Sequence, residues 1–204
     1  MLESLLNFDT YLFRLINHAR CPFLDSVLAV FSWHFSIGVI VGLITLYVMW
    51  QKKWEKWWLY LAVVGLCFLL ADRISVMCFK DIFQRLRPSH ALQDAITLKI
   101  SHLHYITTNK GGLYGFVSSH AANTFSIITS MSLIMRKEKN FKIFSSILIA
   151  WGIIVGYSRV YCGYHYPGDV VCGALLGIVI GLIVYLIYKK IISLGESKTK
   201  QTNE

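Results

Sequence analysis

At 204 residues, 55% hydrophobic and only 15% charged, the chain carries apolar runs too long for an ordinary soluble globule and reads as an integral membrane protein. Its formal net charge of +9 is a topology signal, because the location of basic residues orients a membrane protein; no nucleic-acid partner is expected.

Leu5, Phe8, Leu12, Leu15 and Ile16 fall at helical spacing with Asn7, Arg14 and His18 among them, so 1–22 is expected to be an amphipathic helix lying on the interface. No basic, apolar and cleavable leader is evident there, and the whole chain is expected to persist in the mature protein. Five stretches follow that can cross a bilayer: 27–50, 57–79, 119–135, 141–157 and 170–188. Each approaches the ~20 residues that a ~30 Å hydrocarbon core demands, although the third and fourth are short. The expected fold is therefore an all-α integral membrane bundle of five to six transmembrane helices with an N-terminal amphipathic helix. Its expected parts are an interfacial helix over 1–22, a transmembrane domain over 23–192 and a disordered tail over 193–204.

Lys52, Lys53 and Lys56 follow the first span, Arg136, Lys137, Lys139 and Lys142 the third, and Lys189, Lys190, Lys198 and Lys200 the fifth. The positive-inside rule makes these places cytoplasmic and puts 80–117 and 158–169 outside. Those outer segments still hold Lys80, Arg85, Arg87, Lys99, Lys110 and Arg159. Cations kept on the disfavoured side have a task, and binding an anion is the simplest.

Three clusters lie in the outer segments. In the first, residues 80–88, Lys80 and Arg87 are seven positions apart, which returns both to one helix face, and Pro88 is expected to end the helix near Arg87. Two cations on one face can grip a phosphate; snorkelling interfacial cations are an equal reading of this cluster alone. In the second, Gly111, Gly112 and Gly115 precede Val117, Ser118, Ser119 and His120 at the start of an apolar helix. Unpaired amides there make an anion seat, one of the serines is expected to be an N-cap, and His120 can move a proton near neutral pH. In the third, Ser158 and Arg159 precede His165, and Pro167 and Asp169 open the last helix. A carboxylate four residues after an imidazole can accept its N–H and leave the other nitrogen to attack. Together the clusters supply what phosphoryl transfer needs: clamped oxygens, an in-line nucleophile and a proton for the leaving oxygen. No Walker loop and no outer carboxylate cluster are evident, so metal-free chemistry without a cofactor is expected.

The order K-x6-R-P, S-x-H and S-R-x5-H-x3-D, carried by Lys80 to Pro88, Ser118 to His120 and Ser158 to Asp169, resembles the type 2 phosphatidic acid phosphatase superfamily, the lipid phosphate phosphatases. The resemblance spans roughly 22–190. It implies a core of about six helices, a phosphohistidine on His165, Asp169 as its partner and His120 as general acid. It also implies phosphate ligands at Lys80, Arg87, Ser118, Arg159 and the amide of Ser119. Val117 and Ser119 depart from that family's usual Pro and Gly in the second motif; Ser119 keeps the amide but crowds the pocket. The implied activity is a membrane lipid phosphatase with the bilayer as its setting, in a bacterial inner membrane and with its site on the outer side. Undecaprenyl diphosphate is the favoured substrate, on the resemblance of 118–123, with phosphatidylglycerophosphate or lipid A as alternatives. An anion transporter would need polar residues through the full depth of several spans, and an inactive lipid-binding protein would not need both histidines and Asp169. A soluble haloperoxidase relative is at odds with five apolar spans.

Asp72 and Arg73, within the second span, are expected to pair within the protein. His90, His102 and His104 read as solvated loop histidines. Trp54, Trp57, Trp58, Tyr105, Tyr161, Tyr164 and Tyr166 read as interfacial anchors, and Gly152, Gly156, Gly173, Gly177 and Gly181 as sites of close helix contact. The five cysteines lack metal spacing and read as small apolar residues.

Overall fold

A computed structural model describes residues 2–33, 35–51, 57–100 and 106–202. The helices are α1 (Leu2–His18), α2 (Pro22–Ser32), α3 (Phe35–Trp50) and α4 (Trp57–Ile74), which runs through a π-helical turn (Ser75–Lys80) into α5 (Asp81–Phe83). Then come α6 (Pro88–Ala91), the two-residue antiparallel strands β1 (Lys99–Ile100) and β2 (Ile106–Thr107), α7 (Ser119–Ile134), α8 (Phe141–Tyr161) and α9 (Pro167–Thr202). The chain is mostly helical, as expected of an all-α membrane bundle.

Three stretches, Trp57–Phe83, Phe141–Tyr161 and Pro167–Leu194, are long and apolar enough to cross a membrane, and the bent pair α2–α3 makes a fourth if it counts as one crossing. The expected span 27–50 is thus not one helix. It breaks at Trp33, whose extended backbone cannot continue the helix. The expected span 119–135 is α7, whose 16 residues rise about 24 Å, short of a full hydrocarbon core. Helix α9 continues past residue 193, where the sequence places the tail, as far as Thr202.

In lipid, apolar surface gives helices no reason to associate, so close packing must hold them together. Gly173, Gly177 and Gly181 recur every four residues along α9 and lie against Ser118, just before α7, and Ala122 and Ser126 within it. A methyl group at Gly173 or Gly181 would stand 2.6 Å from the Ser118 or Ser126 carbonyl oxygen. The two helices therefore run parallel in near backbone contact, and their starts, which carry His120 and Asp169, sit side by side. On the other side α7 packs on α4, where Cys67 Sγ lies 3.2 Å from Ser130 Oγ. At the far end of α7, Tyr47 and Gln51 of the α3 terminus both donate to the Lys139 carbonyl at 2.7 Å. The end of α3 and the basic 136–142 turn thus share one end of the bundle; Lys52, Lys53, Lys56 and Trp54 lie outside the described residues.

Helix α1 has two faces. Leu5, Phe8 and Leu15 are exposed, while Phe13 and Asn17 are fully buried against the bundle. Asn17 explains that docking: Nδ2 donates to the carbonyls of Ile96 (2.8 Å) and Tyr161 (2.7 Å), and Oδ1 accepts from Ile96 N–H (2.8 Å). The buried face is therefore as polar as it is apolar, which a stripe of leucines does not reveal.

Candidate active site

The stretch that leads into the second cluster is drawn back to the first cluster by a short pairing of backbone. Arg87 N–H donates to the Leu113 carbonyl (3.0 Å), and Gly115 N–H donates to the Arg85 carbonyl (2.8 Å). A Cβ at Gly115 would stand 3.1 Å from both Arg87 Cγ and Asp169 Oδ2, a tight fit that would press on two site residues. Gly111, at φ +71°, makes the turn that brings the segment beside Arg87 and Tyr164.

Lys80 and Arg87 reach one cavity, but not from one helix face as their spacing suggests. The π-helical turn re-aims the end of α4, Gln84 adopts a left-handed conformation at φ 47°, and the helix stops at Phe83. Arg87 is the extended residue before α6, and Pro88 starts that helix, where its missing N–H costs nothing. The convergence comes from chain reversal.

The cavity, about 470 Å³, is lined by Lys80, Arg87, Ser119, His120, Arg159 and His165 among others. Six of the eight residues singled out in the sequence thus meet there. Asp169 and Ser118 lie behind it, both fully buried. Ser118 precedes α7 without a capping bond; its Oγ has no hydrogen-bond partner among the described residues, and its N–H donates to the Asp169 carbonyl (3.0 Å). Ser119 does more than offer an amide: its Oγ accepts from Lys80 Nζ (2.6 Å) and lies 2.7 Å from Ser75 Oγ. The hydroxyl that replaces glycine therefore holds the cation in place.

Arg159 is buried in the last turns of α8. Its Nη1 donates to both the carbonyl and the Oγ of Ser32, each at 2.6 Å, and its guanidinium lies 4.4 Å from the centre of the Tyr164 ring. The helix break at Trp33 makes this possible, because it leaves the Ser32 carbonyl without a helical partner. Arg159 Nε is buried with no partner among the described residues. An uncommitted donor on a buried cation suits an anion.

His165 is 1% exposed and follows α8 in a tight turn, its N–H donating to the Arg159 carbonyl (3.2 Å). Its pKa is held well below the ordinary 6.5 by burial and then by the charges of Arg87, Arg159 and Lys80; the Gly115 backbone beside it works weakly the other way. The ring is therefore neutral at neutral pH, as a nucleophile must be. Asp169 Oδ2 stands 3.6 Å from Nδ1, too far for a hydrogen bond but in position to form one as the site tightens.

Two site residues were not singled out in the sequence. Arg85 donates to Asp169 Oδ1 and to Asp9 Oδ2, both at 2.7 Å, and lies 4.0 Å from the centre of the Tyr166 ring. Burial alone would lower its pKa, but the two carboxylates reverse this and raise it. Asp9, on α1, also accepts from Gly168 N–H at 2.7 Å. The one signal in the sequence is that Arg85 is basic on the disfavoured side. Asp72 lines the cavity, while Arg73 is exposed. His90 Nε2 lies 3.4 Å from the Gly111 carbonyl oxygen, and His102, His104 and Tyr105 lie outside the described residues.

A membrane-spanning bundle that gathers two histidines and three cations around one cavity defines an integral membrane lipid phosphatase, a hydrolase. The chain belongs to the PAP2 superfamily, whose pattern matches residues 57–193. It is 30% identical over 200 residues to a lipid A 4'-phosphatase of Bacteroides thetaiotaomicron, covering 98% of this chain and 85% of that one. An undecaprenyl-diphosphatase of Bacillus subtilis is 20% identical, over 79% of this chain and 74% of its own. Among solved structures, Aquifex aeolicus LpxE superposes with a TM-score of 0.60 at 27% identity, covering 86% of this chain and 93% of that one. A phosphatidylglycerolphosphate phosphatase of Bacillus subtilis gives 0.65 at 23% identity, over 92% and 88%, and speaks for the fold alone.

Proposed function

We propose that this lipid phosphatase removes the 4'-phosphate of lipid A through a phosphohistidine on His165. The expected preference for undecaprenyl diphosphate gives way because relatives 30% identical are lipid A 4'-phosphatases, whereas the undecaprenyl-diphosphatases are 20% and 25% identical. The observation that carries the chemistry is that His120 and His165 border the same cavity as Lys80, Arg87 and Arg159.

In this reading the three cations and the first amides of α7 clamp the phosphoryl oxygens. Nδ1 of His165 faces Asp169, so Nε2 attacks phosphorus, and the bond to the lipid oxygen breaks as His120 gives that oxygen a proton. Asp169 stabilises the positive charge that develops on the ring. Water then attacks phosphorus as His120 takes its proton, the phosphorus–nitrogen bond breaks to restore the neutral imidazole, and phosphate leaves. The cavity lies at the start of α7, opposite the basic 136–142 turn, which supports an outward-facing site in a bacterial inner membrane.

A panel of diphosphorylated lipid A, undecaprenyl diphosphate and phosphatidylglycerophosphate in detergent, with and without chelator, tests this reading. Faster release from lipid A, with mass spectrometry locating the loss at the 4' position and chelator without effect, is expected. Faster turnover of either other lipid would overturn the substrate assignment, and inhibition by chelator the metal-free chemistry.

A further inference from the structure

We infer that Asp9, on the docked N-terminal helix, and Arg85, which it holds, are positioning residues for the reaction that set the Asp169 carboxylate against His165. This rests on the phosphohistidine reading above and names a part of that site which its motifs omit.

Both oxygens of Asp169 are held. Oδ1 accepts from Arg85 Nη1 at 2.7 Å, and Oδ2 accepts from Tyr166 N–H at 3.0 Å while facing His165 Nδ1 at 3.6 Å. Arg85 therefore fixes the rotation of the carboxylate about its own axis. Alone, it would also cancel much of the negative charge that Asp169 must offer the ring. Asp9 answers that problem: Oδ2 takes the second guanidinium nitrogen at 2.7 Å, sharing the cation between two carboxylates. Its other oxygen accepts Gly168 N–H at 2.7 Å, in the opening turn of α9, so one side chain fixes both the guanidinium and the helix start that bears Asp169. The chain of contacts runs over 76 residues between Asp9 and Arg85 and 84 between Arg85 and Asp169.

The docking of α1 does not depend on Asp9. Asn17 makes three hydrogen bonds to 96 and 161, and buried Phe13 packs edge-on to Tyr166 with ring centres 5.6 Å apart. Asp9 can therefore be altered with the helix still seated, which separates positioning from folding.

The test compares Asp9→Asn, Asp9→Glu, Arg85→Lys and His165→Ala in the full-length protein, using whichever lipid of the panel the native protein turns over fastest. Asp9→Asn should lower kcat roughly 10- to 100-fold, the scale seen for residues that orient a site from behind, with KM changed less than about threefold and the thermal midpoint nearly kept. Asp9→Glu should recover most of kcat. In an Asp169→Asn background the same Asp9→Asn change should cost little more, because both act on one carboxylate. If Asp9→Asn does not fold, Arg85→Lys, which cannot reach both carboxylates, should show the same selective loss of kcat. Folded Asp9→Asn and Arg85→Lys proteins with kcat within twofold of native, or an Asp9→Asn loss of full size in the Asp169→Asn background, would overturn the inference. Activity surviving His165→Ala would instead overturn the nucleophile, so the two failures are distinct.

Discussion

Replacing Asp169 by Asn removes one negative charge while keeping the shape of a fully buried side chain. Its Oδ2 stands 3.6 Å from Nδ1 of His165, the nitrogen opposite the one proposed to attack. A unit positive charge developing on that ring interacts with the carboxylate by about 4–5 kcal/mol at an effective dielectric constant near 20. Arg85, bonded at 2.7 Å to the other oxygen, offsets part of this field. Because each ~1.4 kcal/mol is a factor of ten, kcat should fall about 10²- to 10³-fold. The loss belongs in kcat, since the charge it stabilises appears only when the phosphorus–nitrogen bond forms. Steady-state phosphate release from lipid A, with kcat and KM resolved and the thermal midpoint recorded beside them, measures it. A folded Asp169→Asn protein with kcat within threefold of native would refute the reasoning, because no charge at 3.6 Å in a buried site could then be contributing.

Ser32→Ala removes one of the two Ser32 acceptors of Arg159, and a charged hydrogen bond of about 1.5–3 kcal/mol predicts a fall in kcat/KM of roughly tenfold or more, read from initial rates. Gly177→Ala drives a methyl group into the Ala122 carbonyl, and overpacking of about 1–3 kcal/mol should lower the thermal midpoint in detergent. His165 has its pKa lowered by burial and by Arg87, Arg159 and Lys80, so below the unfolded value of about 6.5 the unfolded chain binds the extra proton. Stability is then full above that pH and declines as pH falls below it, and His165→Gln should flatten this part of a melting-temperature profile.

The three clusters were legible because each joins residues close in sequence, and charge asymmetry alone put them on one side of the membrane. Their supports were not. Ser32 serves Arg159 across 127 residues, and does so only because α2 ends at a break inside an unbroken apolar run. Asp9 looks in sequence like an ordinary interfacial charge, and Arg85 stands out only as a cation on the disfavoured side; only the docking of α1 brings them together. The inference from spacing failed for Lys80 and Arg87 because it assumed an uninterrupted α-helix where a π-helical turn and a left-handed Gln84 intervene. Ser119 was read as an amide donor, an N-cap candidate and a side chain that crowds the pocket, yet its hydroxyl touches Lys80. The glycines of α9 were read correctly as contact points, since residues every four positions share one face whatever the partner.

The nucleophile can be identified directly by mixing the protein with lipid A for less than one turnover, quenching in alkali, which spares a phosphorus–nitrogen bond, and mapping the phosphoryl group by mass spectrometry. A phosphoryl group on His165, absent after His165→Ala, is the predicted result. A label on another side chain, or full single-turnover hydrolysis by the His165→Ala protein, would contradict the central role given to that imidazole.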